Sequence, residues 1–186
     1  CRNMPIVLGL DPGFGKCGYC LFEIDRVAQD DTVLELGVIK TSKSSKKRKL
    51  LVADDNLDRA GKISKRLWSL SREVAAICAE SMSFPRNSST AAKMAMCWGV
   101  ISAIAVRRDI PVLQASPQEI KVKICGAKTA SKEDIQTKLN GTYKECENLA
   151  KNIAKGQREH PYDSLAAVIA CLDSSYLKLL RKSAST

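Results

Sequence analysis

Apolar residues in the first forty positions fall into three short blocks separated by turn residues. The blocks are "IVLGL" (Ile6 to Leu10), "GYCLFEI" (Gly18 to Ile24) and "TVLELGVIKT" (Thr32 to Thr41). Blocks of this length, β-branched and aromatic and bounded by Gly, Pro and Asp, predict β-strands. The pattern then lengthens to a helical period: Ala60, Ile63, Leu67 and Leu70 share one face of a helix expected from about Asn56 to Arg72. "VAAICAE" (Val74 to Glu80) is a continuous apolar run, typical of a strand covered on both faces. A long helix is expected from Asn87 to about Arg108, with Gly99 at a close packing contact, and then a short strand in "DIPVLQAS".

Ser116-Pro117-Gln118-Glu119 combines an N-cap Ser, Pro at the first helical position and Glu at the third, so it predicts a capping box and a helix start. Another helix runs from Ser131 to Asn140-Gly141, and the polar stretch up to Glu159 is helical in part. The final helix is expected from His160-Pro161 to about Leu180, with Tyr162, Leu165, Ile169, Leu172, Tyr176 and Leu179 as a core stripe. The order β-β-β-α-β-α-β-α-α-α implies an α/β fold with one mixed five-stranded sheet and helices on its faces. Neither an internal repeat nor a linker divides it. Residues 4–182 read as a single domain, and Cys1 to Asn3, which precede a methionine, as a cloning remnant.

Gly13-Phe14-Gly15-Lys16-Cys17-Gly18 matches the dinucleotide-binding pattern G-x-G-x-x-G. That fingerprint needs a helix opening at its end, so that pyrophosphate meets the helix N-terminus. Here a second strand follows, and "DPGFGKC" reads as a hairpin turn instead. No small-molecule nucleotide cofactor is expected.

Charge changes the picture most. The chain carries 30 Lys and Arg against 20 Asp and Glu, a net +10, in 186 residues. Such an excess accompanies nucleic-acid or anionic-membrane binding. From Lys40 to Arg66 there are ten basic residues and three acidic ones, densest in "KSSKKRK" (Lys43 to Lys49), which reads either as a solvated loop or as a phosphate-contacting or sorting segment. No run of about 18 uncharged apolar residues is present, so no membrane span is expected, and the N-terminus does not read as a secretory signal. Of eight cysteines, Cys78, Cys97, Cys125 and Cys171 lie in apolar segments and read as buried free thiols of a reducing compartment, here the cytoplasm. Cys17 and Cys20, three apart on a strand, point to opposite faces and do not suit zinc.

Three carboxylates stand where chemistry is possible. Asp11 and Glu80 each end an apolar strand. Taken singly, the first reads as a turn aspartate and the second as a strand end reaching solvent. Asp163 lies in the first turn of the last helix, where a carboxylate offsets the dipole, and His160, the one histidine, stands three residues before it. Together they could converge if the two strands are neighbours and the helix N-terminus packs against them. Such a cluster would need divalent cations to offset its repulsion, and oxygen ligands favour Mg²⁺ or Mn²⁺. Two such ions suit phosphodiester hydrolysis. An acidic centre in a basic protein fits a nuclease.

"VLGLDPGFGKCGY", "AESMSFPRNSSTAAKMAMCWGVI", "SPQEIKVKICGAKTASKEDI" and "HPYDSLAAVIAC" resemble the successive motifs of the RuvC-type Holliday-junction resolvases, in order and at similar spacing. The resemblance covers most of Met4 to Leu180. It implies a ribonuclease-H-like fold, a homodimer, and Mg²⁺-dependent paired nicking of four-way DNA junctions in recombination and repair, with two ions per site and Mn²⁺ as a substitute. By position it implies a metal site of Asp11, Glu80, His160 and Asp163, with Lys121 and Lys132 near the scissile phosphate. DNA contacts are expected at Lys121, Lys132, Phe84, Arg86 and the basic Lys46, Lys47, Arg48 and Lys49.

Departures from the family pattern are informative. The aromatic residue common three positions after the glutamate is Ser83 here, with Phe84 beside it as a substitute. The Ser42 to Asp55 and Gly141 to Glu159 regions are longer than in short bacterial members, which suggests a divergent, phage- or virus-encoded member acting in a host cytoplasm. Alternatives are a branched-DNA nuclease that also cuts flaps and forks, and a non-catalytic junction-binding protein. An ATPase of the sugar-kinase, actin and Hsp70 superfamily would need two such domains.

Overall fold

The computed structural model describes residues 4–25, 30–44, 51–82 and 85–182. Five strands form one sheet in the order β3-β2-β1-β4-β5: β1 (Ile6–Asp11), β2 (Lys16–Glu23), β3 (Thr32–Lys40), β4 (Val74–Glu80) and β5 (Val112–Ala115). β1, β2 and β3 are antiparallel, whereas β4 runs parallel to both β1 and β5. The hairpin-linked and helix-connected halves thus meet at β1 and β4, as the element order predicts.

Strand alternation splits the core in two. Leu8, Leu10, Cys17, Tyr19, Ile77 and Ala79 face α1 (Val52–Leu70) and α2 (Ser88–Arg108). Val7, Cys20, Phe22, Ala76 and Cys78 face the opposite side, covered by α3 (Pro117–Cys125), α4 (Lys132–Thr142), α5 (Glu145–Leu149), α6 (Glu159–Cys171) and α7 (Ser175–Lys182). Cys17 and Cys20 do fall on opposite faces, and the seven described cysteines are free thiols. Cys125 is only partly buried, because it ends α3.

The capping box expected at Ser116 forms, and Asn87 and Ser131, where helices were expected to start, are N-caps as well, Ser131 with a second capping box. Three further expectations need correcting. α1 starts at Val52, earlier than Asn56, with Asp54 and Asp55 in its first turn, where carboxylates suit the dipole. Gly99 meets nothing within 4 Å of where its Cβ would be, so it marks an open face and not a close contact. α2 is 21 residues long and, by length and composition alone, apolar enough to cross a membrane, with 22% of its apolar window buried, but Lys93, Arg107 and Arg108 leave no uncharged run of 18 residues in it, as expected.

The expected final helix is two helices, broken between Cys171 and Ser175. The break turns the second piece, so Leu177 is buried while Tyr176 and Leu179 face outward. Arg181 holds α7 in place through a two-pronged ion pair with Asp31, at 2.8 and 2.6 Å. Glu145, on α5, accepts the Val33 N–H at 2.8 Å and so covers part of the open edge of β3.

Candidate active site

Asp11 and Glu80 are the last residues of β1 and β4, and the preceding pair, Leu10 and Ala79, are register partners. By alternation both carboxylates stand on the α6 side of the sheet. α6 can approach because two facing positions are glycine. A Cβ on Gly18 would lie 2.2 Å from the His160 carbonyl oxygen, and one on Gly9 would lie 2.5 Å from that of Ser164. The first turn of α6 therefore rests beside the end of β1. His160 and Asp163, three apart on one helical face, are brought to Asp11.

His160 Nδ1 lies 2.8 Å from Asp11 Oδ2. Lys132, at the start of α4, donates to Asp163 Oδ2 at 2.7 Å and to Glu159 Oε2 at 3.3 Å. These side chains line a cavity of about 390 Å³ with Glu80, Lys121, Ile120 and Ile135. A roomier depression of about 860 Å³ lies along β5, away from the carboxylates. Lys121 has no ion-pair partner among the described residues.

Electrostatics mark the site as short of positive charge. Burial raises the Asp11 pKa, and Asp163 adds to the rise, while the His160 hydrogen bond and Lys132 oppose it. Burial also raises that of Glu80, reinforced by Asp163 and Asp11. Burial works against the Lys132 ammonium, but Asp163 and Glu159 outweigh it and hold the group protonated well above the ordinary lysine range. The Lys132 hydrogen bond in turn lowers the Glu159 pKa.

Among the described residues no three His, Cys, Asp or Glu side chains stand close enough to coordinate one ion as they are placed. The donor set still fits a hard divalent cation. Asp11, Glu80 and Asp163 offer carboxylate oxygens at one cavity, and their mutual repulsion is what such a cation relieves.

Other expected residues fall elsewhere. Phe84 and Lys46, Lys47, Arg48 and Lys49 lie outside the described residues, as does Ser83. Arg86 is exposed ahead of α2 and is not part of the cavity lining. Within the basic Lys40 to Arg66 region, two arginines are committed to the protein itself. Arg59 is buried with its guanidinium 4.6 Å from the centre of the Phe14 ring and its Nε donating to Thr41 Oγ1. Arg66 bonds both Tyr19 Oη and Glu35. Their roles here are packing and hairpin support. Glu159 is the site residue that sequence reasoning missed; its only signal was an acidic position directly before His160.

Comparison with known proteins bears on the family and the fold. A family model described as crossover junction endodeoxyribonuclease RuvC matches residues 7–170. A relative of that name from Paenarthrobacter aurescens is 33% identical over 134 residues, covering 72% of this chain and 66% of its own, just under two thirds of its length. Another, from Natranaerobius thermophilus, is 29% identical and covers 70% of this chain and 76% of its own. Among solved structures, Thermus thermophilus RuvC in complex with Holliday junction substrate superposes with a TM-score of 0.69 at 24% identity, covering 90% of this chain and 92% of that one. The yeast mitochondrial Holliday junction resolvase gives 0.66 at 14% identity, covering 97% and 82%.

Proposed function

The chain belongs to the RuvC family of crossover junction endodeoxyribonucleases, which are metal-dependent nucleases, and from that membership we propose that it resolves four-way DNA junctions by paired symmetric nicks. The observation that carries this reading is the convergence of Asp11, Glu80, His160 and Asp163 with Lys121 and Lys132 around one cavity. Asp11, Glu80 and Asp163 would hold two Mg²⁺ ions, replaceable by Mn²⁺, with His160 as a further ligand or water-positioning group. Bound there, the ions would activate water and stabilise the leaving oxygen.

The chain's own residues do the rest. Asp11 fixes the imidazole through Nδ1, which leaves Nε2 to orient a water or accept its proton. Lys121 and Lys132 place positive charge where a phosphate gains negative charge in the transition state. With Arg86 and the basic 46–49 segment they would also hold DNA arms through phosphates, so binding weakens steeply with salt.

A four-way junction has two-fold symmetry, and paired nicks require two sites. α2 supports a homodimer: Ala92, Ala95, Gly99, Ala103 and Val106 form an exposed stripe of small and apolar side chains, with Val106 80% exposed. A second copy packed there would cover what the monomer leaves open. The place of action in this reading is a reducing cytoplasm.

The deciding experiment compares wild type and Asp11→Asn on labelled four-way junction, flap and linear duplex, with Mg²⁺ or EDTA. Symmetric junction nicks, lost in the variant and in EDTA while binding persists, are the expected result. Equal cutting of flaps would replace the reading with a relaxed branched-DNA nuclease. Binding without cleavage under any divalent metal would leave a junction-binding protein.

A further inference from the structure

Lys132 is the first residue of α4, directly after the N-cap Ser131. A helix N-terminus disfavours a cation, because its unpaired N–H groups carry partial positive charge. The lysine nevertheless spans to α6 and binds two carboxylates in different settings. Asp163 faces the cavity with 23% of its side chain exposed, while Glu159 stands at the rim with 50% exposed. Glu159 also comes within 3.9 Å of His160 Nε2.

We propose that Glu159 is a positioning residue of the cleavage site: it is the second anchor of Lys132, drawing the ammonium off Asp163 so that this carboxylate is left to a divalent cation. The proposal rests on the reading of Asp11, Glu80 and Asp163 as cation ligands. A cation attracted to Asp163 repels the ammonium already there. Glu159 lies within reach of the same ammonium and on the solvent side, so Lys132 can yield without leaving the site. Without Glu159, Asp163 is the ammonium's one carboxylate among the described residues, and the lysine competes for it. The arrangement keeps Lys132 charged and close to the cavity in both states, ready for a phosphate oxygen. A carboxylate serving the α6 dipole alone would alter stability without altering the demand for cation.

The test titrates Mg²⁺ at constant ionic strength against wild type, Glu159→Gln, Lys132→Gln and the double variant, reading the metal-induced rise in melting temperature. Glu159→Gln is expected to need about three- to fivefold more Mg²⁺ for half of the rise, the range of one exposed ion pair. Lys132→Gln is expected to need less than wild type, and the double variant is expected to match Lys132→Gln. Unchanged titration in Glu159→Gln overturns the proposal. So does a Glu159→Gln shift that persists in full without Lys132, since Glu159 would then act by its own charge. Asp163→Asn separates the two levels. If wild type responds to Mg²⁺, Asp163→Asn does not, and Glu159→Gln behaves as wild type, only the proposal fails. If wild type shows no response, the metal reading fails and the proposal with it.

Discussion

Glu80 stands beside Asp11 and Asp163 with no side-chain hydrogen bond among the described residues, and burial and both neighbours raise its pKa. A carboxyl whose folded pKa exceeds its unfolded value lowers stability once both states are ionised. The cost is absent below the ordinary glutamate value and grows until pH passes the raised one. Glu80→Gln is therefore expected to stabilise the metal-free protein at neutral pH, by less than about 1 kcal/mol because Glu80 is partly exposed and solvent screens the repulsion, while abolishing cleavage. Thermal melts at pH 7 and pH 4 would show it, with the gain vanishing at the lower pH. Asp11 and Glu80 were visible in the sequence because a carboxylate that ends an apolar strand is a local feature. The Lys132 contacts with Glu159 and Asp163 were not, since they join residues 27 and 31 positions apart through the packing of α4 on α6.

Elements show where periodicity misleads. The stripe from Tyr162 to Leu179 keeps a helical period straight through Asp173 and Ser174, so nothing in it announces a break. The turn after Cys171 shifts the phase, and Leu177 enters the core at 1% exposure while Leu179 stays 66% exposed. Leu177→Ala is expected to cost about 3 kcal/mol and Leu179→Ala under about 0.5 kcal/mol, measured by urea unfolding. The capping box at Ser116, by contrast, was legible because it is complete within four residues. Close seating of α6 depends on Gly9 and Gly18, whose role appears only when helix meets sheet. Gly18→Ala is expected to destabilise by about 1–3 kcal/mol through overpacking and to cut cleavage more than tenfold, because a displaced His160 no longer meets Asp11. Cleavage assays well below the melting temperature would separate the two effects.

At the scale of the whole molecule, the two faces of the sheet are covered differently. One carries five helices and the acidic cavity, and the other carries α1 and α2, the latter with its small-residue stripe turned outward. The sequence showed the mixed sheet through the order of its elements, but an unpartnered face needs three-dimensional burial to be seen. Val106→Glu places a charge in that stripe. If it is the contact between copies, light scattering should show a monomer at concentrations where wild type is a dimer, and junction cuts should become single unpaired nicks.

α6 joins these scales. Its first two turns bear His160 and Asp163, and the rest of it is packed into the sheet through Leu165, Ala167 and Val168, each fully buried. A geneticist selecting for loss of junction cutting would therefore recover alleles deep in this helix, remote from any ligand. Enlarging Ala167 or trimming Val168 should give heat-sensitive alleles, whose protein accumulates at low temperature and is cleared by proteases at high temperature.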